Sequence, residues 1–409
     1  MRLRIKDICD YVSRGTTPDY VDEGANKVMN QATFSKGWID ESNIRYTSKT
    51  NKGARIMKGD LLMASTGGGV LGKVFFFDDD DSFYADSHVT IMRNSKWANL
   101  MKYLYYYFYL RYDEINATMV KGSTNQTELQ RNYLLSYELD VPTLADQLRM
   151  VTYLDTKLSE IDHQVSLLTS KRDAYLRLKK SIINHAVTHG LNPNVKMKDS
   201  GIEWIGEVPE HWEVKRMKEL SAISSGTTPK SGEDKYYENG IHPWLNTSDV
   251  QDCVINEAKF SITDKALNDY SVLKYYPIGT ILIAMYGGGT IGNVALMNIS
   301  ATINQACCAI VSNEKLLLPK YLFCYLKCHK KKIISLGFGG TQVNLSQAII
   351  AQLPVVLPPL PEQRAIATYL DDKCAKIDTI VSNLDKQISR YGDLKRSLID
   401  EVITGKRAV

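Results

Sequence analysis

The sequence predicts an α+β protein of two similar globular domains, each followed by a long α-helix. Three observations predict it. A coiled-coil seam runs through residues 357–406, a second copy of that seam lies at 141–191, and matching strand-and-loop motifs precede each copy. The implied division is 1–140 for the first domain, 141–191 for its helix and 192–213 for a linker that opens the second domain. Residues 214–356 form that domain and 357–409 the closing helix.

The closing helix carries apolar residues at Ile366, Leu370, Cys374, Ile377, Val381, Leu384, Ile388, Tyr391, Leu394 and Leu398. Their mostly alternating spacing of four and three keeps one stripe facing a partner helix, as a coiled coil requires. Pro361 near the start and Gly405 at the end are residues that open and close helices. An offset of 216, which lays Pro142 over Pro358, superimposes the earlier copy. Identities under this offset include Thr152-Tyr153-Leu154-Asp155, Ile161-Asp162, Val165-Ser166 and Leu178-Lys179. The first seam reads Leu154, Leu158, Ile161, Val165, Leu168, Tyr175, Leu178 and Ile182, with Arg172 where the second has Ile388. Identity on both the seam and the exposed face points to internal duplication.

The globular halves repeat as well. Val12-Ser13-Arg14-Gly15-Thr16-Thr17-Pro18 matches Ile223-Ser224-Ser225-Gly226-Thr227-Thr228-Pro229. Apolar runs at 60–65 and 280–285 lead into Gly67-Gly68-Gly69 and Gly287-Gly288-Gly289, and further apolar runs at 72–77 and 292–297 follow. These read as strands joined by turns. Asp86-Ser87-His88 then stands opposite Asn304-Gln305-Ala306. A helix follows in each half, at 100–112 and 319–334, and then a polar loop, at 121–125 and 339–344.

With 409 residues, 44% hydrophobic and 23% charged, the chain is of ordinary globular composition. No apolar run approaches the ~18 residues of a membrane span, and 1–10 has no signal-peptide core, so no membrane role is expected. Seven cysteines without a paired framework suit free thiols in a reducing cytoplasm. The net charge of +4 is weak evidence for an anionic partner.

Catalytic patterns fail one by one. Gly67 to Lys73 begins like a P-loop, but Val74 stands where Ser or Thr must hold the metal. Asn293 replaces the lysine in the second copy, so a tight turn between strands fits better. Phe338-Gly339-Gly340 has the glycines of a methyl-donor loop, but it follows a helix, and no Asn-Pro-Pro-aromatic motif accompanies it. Cys324, Cys328 and His329 share a helix with enough apolar neighbours to read as a packed face rather than a metal site. The four carboxylates at 78–81 read as a solvated turn. His88 has no Ser or Cys partner at a recognisable spacing, which leaves it a binding or structural role. The chain is therefore expected to bind no metal and to catalyse nothing alone.

Binding remains. The repeated loops are rich in Ser, Thr, Asn, Gln and Gly, with scattered Lys and Arg, the groups that hydrogen-bond base edges and phosphates. Any one such loop is simply a turn, but recurrence in both halves, beside a rigid helical spacer, suits paired readers of duplex DNA. The candidate contacts are Ser13, Arg14, Thr16, Thr17, Gln31, Thr66, Lys73, Ser87, His88, Lys121, Ser123 and Asn125 in the first half. In the second they are Ser225, Thr227, Thr228, Asn246, Tyr286, Asn293, Asn304, Gln305, Thr341, Gln342 and Asn344.

The segment Asp199-Ser200-Gly201-Ile202-Glu203-Trp204-Ile205-Gly206-Glu207-Val208-Pro209-Glu210-His211-Trp212 resembles the opening of target-recognition domains in specificity subunits of type I restriction–modification enzymes. Leu357-Pro358-Pro359-Leu360-Pro361-Glu362-Gln363-Arg364 and Ile403-Thr404-Gly405-Lys406 resemble that family's long-helix region. The resemblance covers nearly the whole chain. It implies that each domain reads one half of a bipartite DNA site and that the helices pair antiparallel and set the spacer. It also implies partners: two methyltransferase subunits and, in the full enzyme, restriction subunits. S-adenosylmethionine, ATP and magnesium would sit on those partners, with no cofactor on this chain. Two departures stand out. No counterpart of the 199–212 opener precedes the first domain, so either an edge segment is missing there or the start lies elsewhere. Thr143, Ala145 and Asp146 also replace Pro359, Pro361 and Glu362. The alternative is a DNA-binding regulator or scaffold acting without methyltransferase partners; a purely structural coiled coil leaves the duplicated domains unexplained.

Overall fold

The computed structural model describes residues 1–121, 127–339 and 343–409. The chain forms two compact units, Met1–Thr169 with Lys386–Val409, and Ser170–Asp385. Both boundaries fall inside the long helices, so each unit holds one globular domain and a segment of each helix.

Unit 1 is built on a four-stranded antiparallel sheet in the order Tyr11–Arg14, Val89–Arg93, Leu61–Ala64 and Val74–Phe76. Leu61–Ala64 is buried on both faces, and its side chains alternate between two cores. Leu61 and Met63 pack with Tyr103, Leu104 and Phe108 of the helix Ala98–Tyr109, whereas Leu62 and Ala64 pack with Met29, Phe34 and Phe77. That period of two is what a sheet sandwiched between layers requires. A second, five-stranded sheet brings Asn26–Met29 beside Phe83–Ala85 in parallel. The buried Asp60 carboxylate closes the layer by accepting two bonds from Arg93, 2.6 and 2.7 Å. Arg2–Arg4 pairs antiparallel with Glu138–Asp140.

Unit 2 repeats the plan. Its five-stranded sheet runs Ser221–Ser225, Cys307–Ser312, Ile281–Ala284, Val294–Met297 and Val254–Ile255. Ile281 and Ile283 face the helix Pro319–Ser335, and Leu282 and Ala284 the opposite core. A smaller sheet sets His242–Leu245 parallel to Thr302–Ile303, and Glu213–Arg216 pairs with Pro354–Leu357. The stretch read as a linker adds a hairpin, Met197–Asp199 with Glu207–Pro209, which ends at the fully buried Trp212. Trp212 Nε1 donates to Glu362 Oε2 at 3.0 Å, and His211 Nε2 lies 2.7 Å from Glu362 Oε1. The Pro-Glu-Gln motif thus fastens the opener to the start of the closing helix.

The two helices run Leu144–His189 and Leu360–Ile403. Within unit 1, Lys395 pairs with Asp162 at 2.6 Å, and Arg407 donates to the Tyr153 hydroxyl at 3.2 Å. Within unit 2, Arg172 pairs with Asp385 at 3.4 Å and Lys179 bonds Asp378. In each unit residue numbers rise on one helix as they fall on the other, so the pairing is antiparallel. Under the offset of 216, Asp162 is Asp378 and Lys179 is Lys395, so each unit makes the same ion pair from opposite members of the repeat. One detail of the predicted seam fails. Leu178 and Leu394 are exposed, 47% and 49%, and the neighbouring lysines turn inward to meet the facing aspartates. A nearly straight helix drifts about 20° per heptad against a strict seven-residue repeat, enough to exchange neighbours at the margin of a stripe.

The glycine-rich stretches are turns between strands. Leu71 N bonds Gly67 O at 3.0 Å and Gly72 N bonds Ala64 O at 2.8 Å, with Gly67, Gly69 and Gly72 at positive φ. The second copy repeats this through Ile291, Gly287, Gly292 and Ala284. The predicted helix at 100–112 divides into Ala98–Tyr109 and Tyr112–Thr118. His329 packs edge-on against Trp204 and Tyr325, and Cys324 and Cys328 pack against the same core. No helix among the described residues is long and apolar enough to cross a membrane.

Candidate nucleic-acid interface

In unit 1 the register of the central sheet places Arg14, Ala64 and Val89 at one end. The parallel pair of the second sheet ends on the same side, at Met29 and Ala85. The segments leaving these strands carry Thr16, Thr17, Gln31, Thr66, Ser87 and His88. Gly15 makes the arrangement possible: a Cβ there would lie 2.2 Å from the carbonyl oxygen of Asp86. Gly226 is held in the same way against the carbonyl of Ile303. Only glycine tolerates such an approach of backbone to backbone.

Two hydrogen-bonded groups occupy this end. The Thr66 hydroxyl donates to Gln31 Oε1 at 3.2 Å and lies 2.7 Å from His88 Nδ1. His88 itself is exposed. Beside it, Arg14 Nε donates to the Ser87 carbonyl and Nη1 lies 2.8 Å from Glu128 Oε1. Beneath them is Asp86, whose Oδ1 accepts the His88 amide at 2.8 Å. Burial pushes the Asp86 carboxyl above its usual range. Ser13 caps its neighbour's carbonyl, its Oγ 3.2 Å from Arg14 O. Thr16 and Thr17 border a groove of about 400 Å³ shared with Lys49, Asn51 and Lys52. Lys73 lines a separate hollow with Lys36, Tyr109 and Tyr112. Lys121 is exposed on the short strand Val120–Lys121, while Ser123 and Asn125 lie outside the described residues.

Unit 2 presents the corresponding strand ends with neutral chemistry. Gln347 Nε2 donates to Ser225 Oγ at 2.7 Å, the Thr228 hydroxyl donates to Gln305 Oε1, and Trp244 Nε1 holds the Thr227 carbonyl at 3.2 Å. Gln305 is exposed and Tyr286 half-buried. Three predicted asparagines serve the chain itself. Asn304 Oδ1 accepts from Ala306 N and Cys307 N, and Asn246 Oδ1 from Ser248 N. Asn293 is buried: its Nδ2 donates to Val250 O at 2.9 Å and its Oδ1 accepts from Lys330. Asn344 pairs through its backbone with Phe338, and Thr341 and Gln342 lie outside the described residues. Glu128 and Gln347 escaped the sequence reading. The offset that lays Leu129 over Leu345, both bonded by their amides to the residue after a central strand, would have drawn attention to the residues around them.

A duplicated α+β frame with differently furnished loops at one end of each central sheet, and with helices that pair antiparallel, defines a two-headed recognition protein. The chain belongs to the type I restriction modification DNA specificity domain family, whose model matches residues 1–167 and again 209–390. Among similar proteins, the MjaVIII type I restriction enzyme specificity subunit of Methanocaldococcus jannaschii is 23% identical over 88% of this chain and 82% of its own length. The EcoR124I/EcoR124II specificity subunit of Escherichia coli is 22% identical over 73% of this chain and 68% of its own. A solved chain from a study of complex assembly in the type I R-M system shares the fold, with a TM-score of 0.73 and 16% identity over 98% of this chain and 97% of that one.

Proposed function

We propose that this chain is the DNA-recognition subunit of a type I restriction–modification enzyme, and that each domain reads one half of a bipartite site. The observation that carries the proposal is the pair of equivalent strand-end surfaces, alike in backbone and different in side chains. Such a protein presents two distinct sequences to one duplex. The antiparallel helices set the distance between the half-sites. They also offer two similar docking regions, one per repeat, for two methyltransferase subunits, which restriction subunits join. In this reading the chain is non-catalytic and cytoplasmic. S-adenosylmethionine belongs to the methyltransferase subunits, and ATP and magnesium to the restriction subunits.

Sequencing of methylated bases in a host that carries the complete system tests the proposal, and a two-part motif is the expected result. Arg14→Ala should relax one half of that motif and Ser225→Ala the other, each lost base contact costing about 1–3 kcal/mol. Equal weakening at both halves by either substitution would make these residues backbone clamps.

A further inference from the structure

The strand ends of unit 1 carry a charged pair that unit 2 replaces with neutral groups. Arg14 closes the strand Tyr11–Arg14, and Glu128 opens the strand Glu128–Leu129. Their side chains meet at 2.8 Å and are 35% and 52% exposed. In unit 2 the residue matching Arg14 is Ser225, bonded to Gln347. The guanidinium has five N–H donors. One is spent on the Ser87 carbonyl and one on Glu128, so three remain. The carboxylate likewise keeps acceptor capacity beyond the single bond to Arg14. Thr66 bridges to Glu128 through the backbone, which holds the carboxylate beside the Gln31, Thr66 and His88 group.

A carboxylate on a surface that meets DNA is repelled by phosphates, so a phosphate clamp is a poor account of this pair. Base edges offer it a better partner. Glutamate accepts from the N4 amino group of cytosine, and arginine donates to O6 and N7 of guanine. In a guanine–cytosine pair, O6 and N4 are bonded to one another and lie about 2.9 Å apart. The protein sets its donor and acceptor 2.8 Å apart. Because the pair holds a donor and an acceptor side by side, the complement of O6 and N4 on that base pair, we infer that Arg14 and Glu128 together read a single guanine–cytosine pair in the half-site of the first domain. Arg14 donates to the guanine, and Glu128 accepts from the cytosine. The inference rests on the reading of unit 1 as a half-site reader.

The test uses the assembled methyltransferase complex, after its motif has been determined from methylated bases. A one-part motif would overturn the two-headed reading itself before any variant is made. Duplex oligonucleotides with each base pair of both halves replaced in turn are competed for binding by the wild type, Arg14→Ala and Glu128→Gln complexes. The wild type should discriminate about 5- to 150-fold at one guanine–cytosine pair. Arg14→Ala should lose that discrimination, and Glu128→Gln, which keeps one acceptor oxygen without the charge, should weaken it at the same pair; both should keep it throughout the other half, which also reports that they are folded. Glu128→Asp, one methylene shorter, should weaken discrimination at that pair alone and stands in if Glu128→Gln does not assemble. The inference fails if no such pair exists or if the variants relax different pairs. It fails equally if the Glu128 variants weaken every duplex alike, which would leave Glu128 as a prop for Arg14.

Discussion

The helix that covers the central sheet is anchored in the same way in both units and then furnished differently. Aligning Tyr103-Leu104 with Tyr321-Leu322 lays Lys102 over Lys320. Lys102 pairs with Asp155 at 2.7 Å, and Lys320 pairs with Asp371, the same aspartate of the repeat. Around this shared anchor the partners diverge. Tyr106 adds a bond to Asp155 at 2.6 Å, where unit 2 has Cys324. Arg111 lies 3.5 Å from the centre of the Tyr107 ring, where unit 2 sets His329 edge-on to Tyr325. Gln363 is fully buried with three bonds, to Leu318 N, Leu316 O and Pro358 O, each 2.8 Å. Its counterpart Gln147 bonds Pro142 O at 2.8 Å, and its Oε1 finds no donor among the described residues. The lesson is that contacts between a domain and its helix persist through divergence, while the groups around them drift.

The sharpest way to break this comparison is Trp212→Ala. Unit 1 has no described counterpart of this side chain, so a loss of about 3–5 kcal/mol should fall on unit 2 alone. Hydrogen exchange should rise in peptides from 170–385 and stay unchanged in 1–169; equal loss in both would refute independent cores. Next comes the buried glutamine. Gln363→Leu should cost about 1–3 kcal/mol by stranding three backbone groups. Gln147→Leu should be nearly neutral, because it removes an orphaned acceptor together with one bond. Thermal melts of the two variants decide it, and a larger loss at Gln147 would contradict the asymmetry. Tyr106→Phe should follow at about 1–2 kcal/mol in unit 1, again read by melting. A shift too small to measure would mean that Lys102 alone anchors Asp155.

The last comparison is with pH. Burial holds the His329 imidazole down to about 4, whereas in an unfolded chain it titrates near 6.5. Between these values the unfolded chain binds a proton that the folded unit refuses. Unit 2 should therefore lose stability as pH falls from about 6.5 to 4. Unit 1, with Arg111 at that position, has no such imidazole. His329→Gln should flatten the dependence, and an unchanged slope in hydrogen exchange of unit 2 would assign it to other groups.

Much of the frame was legible because it is written twice. The offset of 216 exposed the helices, and the apolar runs at 60–65 and 280–285, each leading into three glycines, exposed the central strands. What stayed hidden depends on geometry that periodicity does not encode. Leu178 and Leu394 satisfy a heptad on paper, yet they face outward, because an α-helix drifts about 20° per heptad against a seven-residue repeat. The attachment of Trp212 to Glu362 joins residues 150 positions apart. At the strand ends, composition picked out which loops to consider. It could not separate asparagines that bond their own backbone, such as Asn304, from side chains that project outward, such as His88 and Gln305. It also passed over Glu128, since a carboxylate is an unexpected residue to seek where a DNA contact is proposed.

The two glycines wedged against the backbone, Gly15 and Gly226, have a consequence for how such a protein changes. Each acts as a rivet that fixes the chain's path at one residue, independently of the side chains on either side. Arg14, Thr16 and Thr17 can therefore be exchanged, as Ser225, Thr227 and Thr228 partly illustrate, without the loop finding a new course. On the proposed function, variation at these positions would rewrite chemistry on a stationary mount, and a new specificity would lie only a few substitutions from an old one.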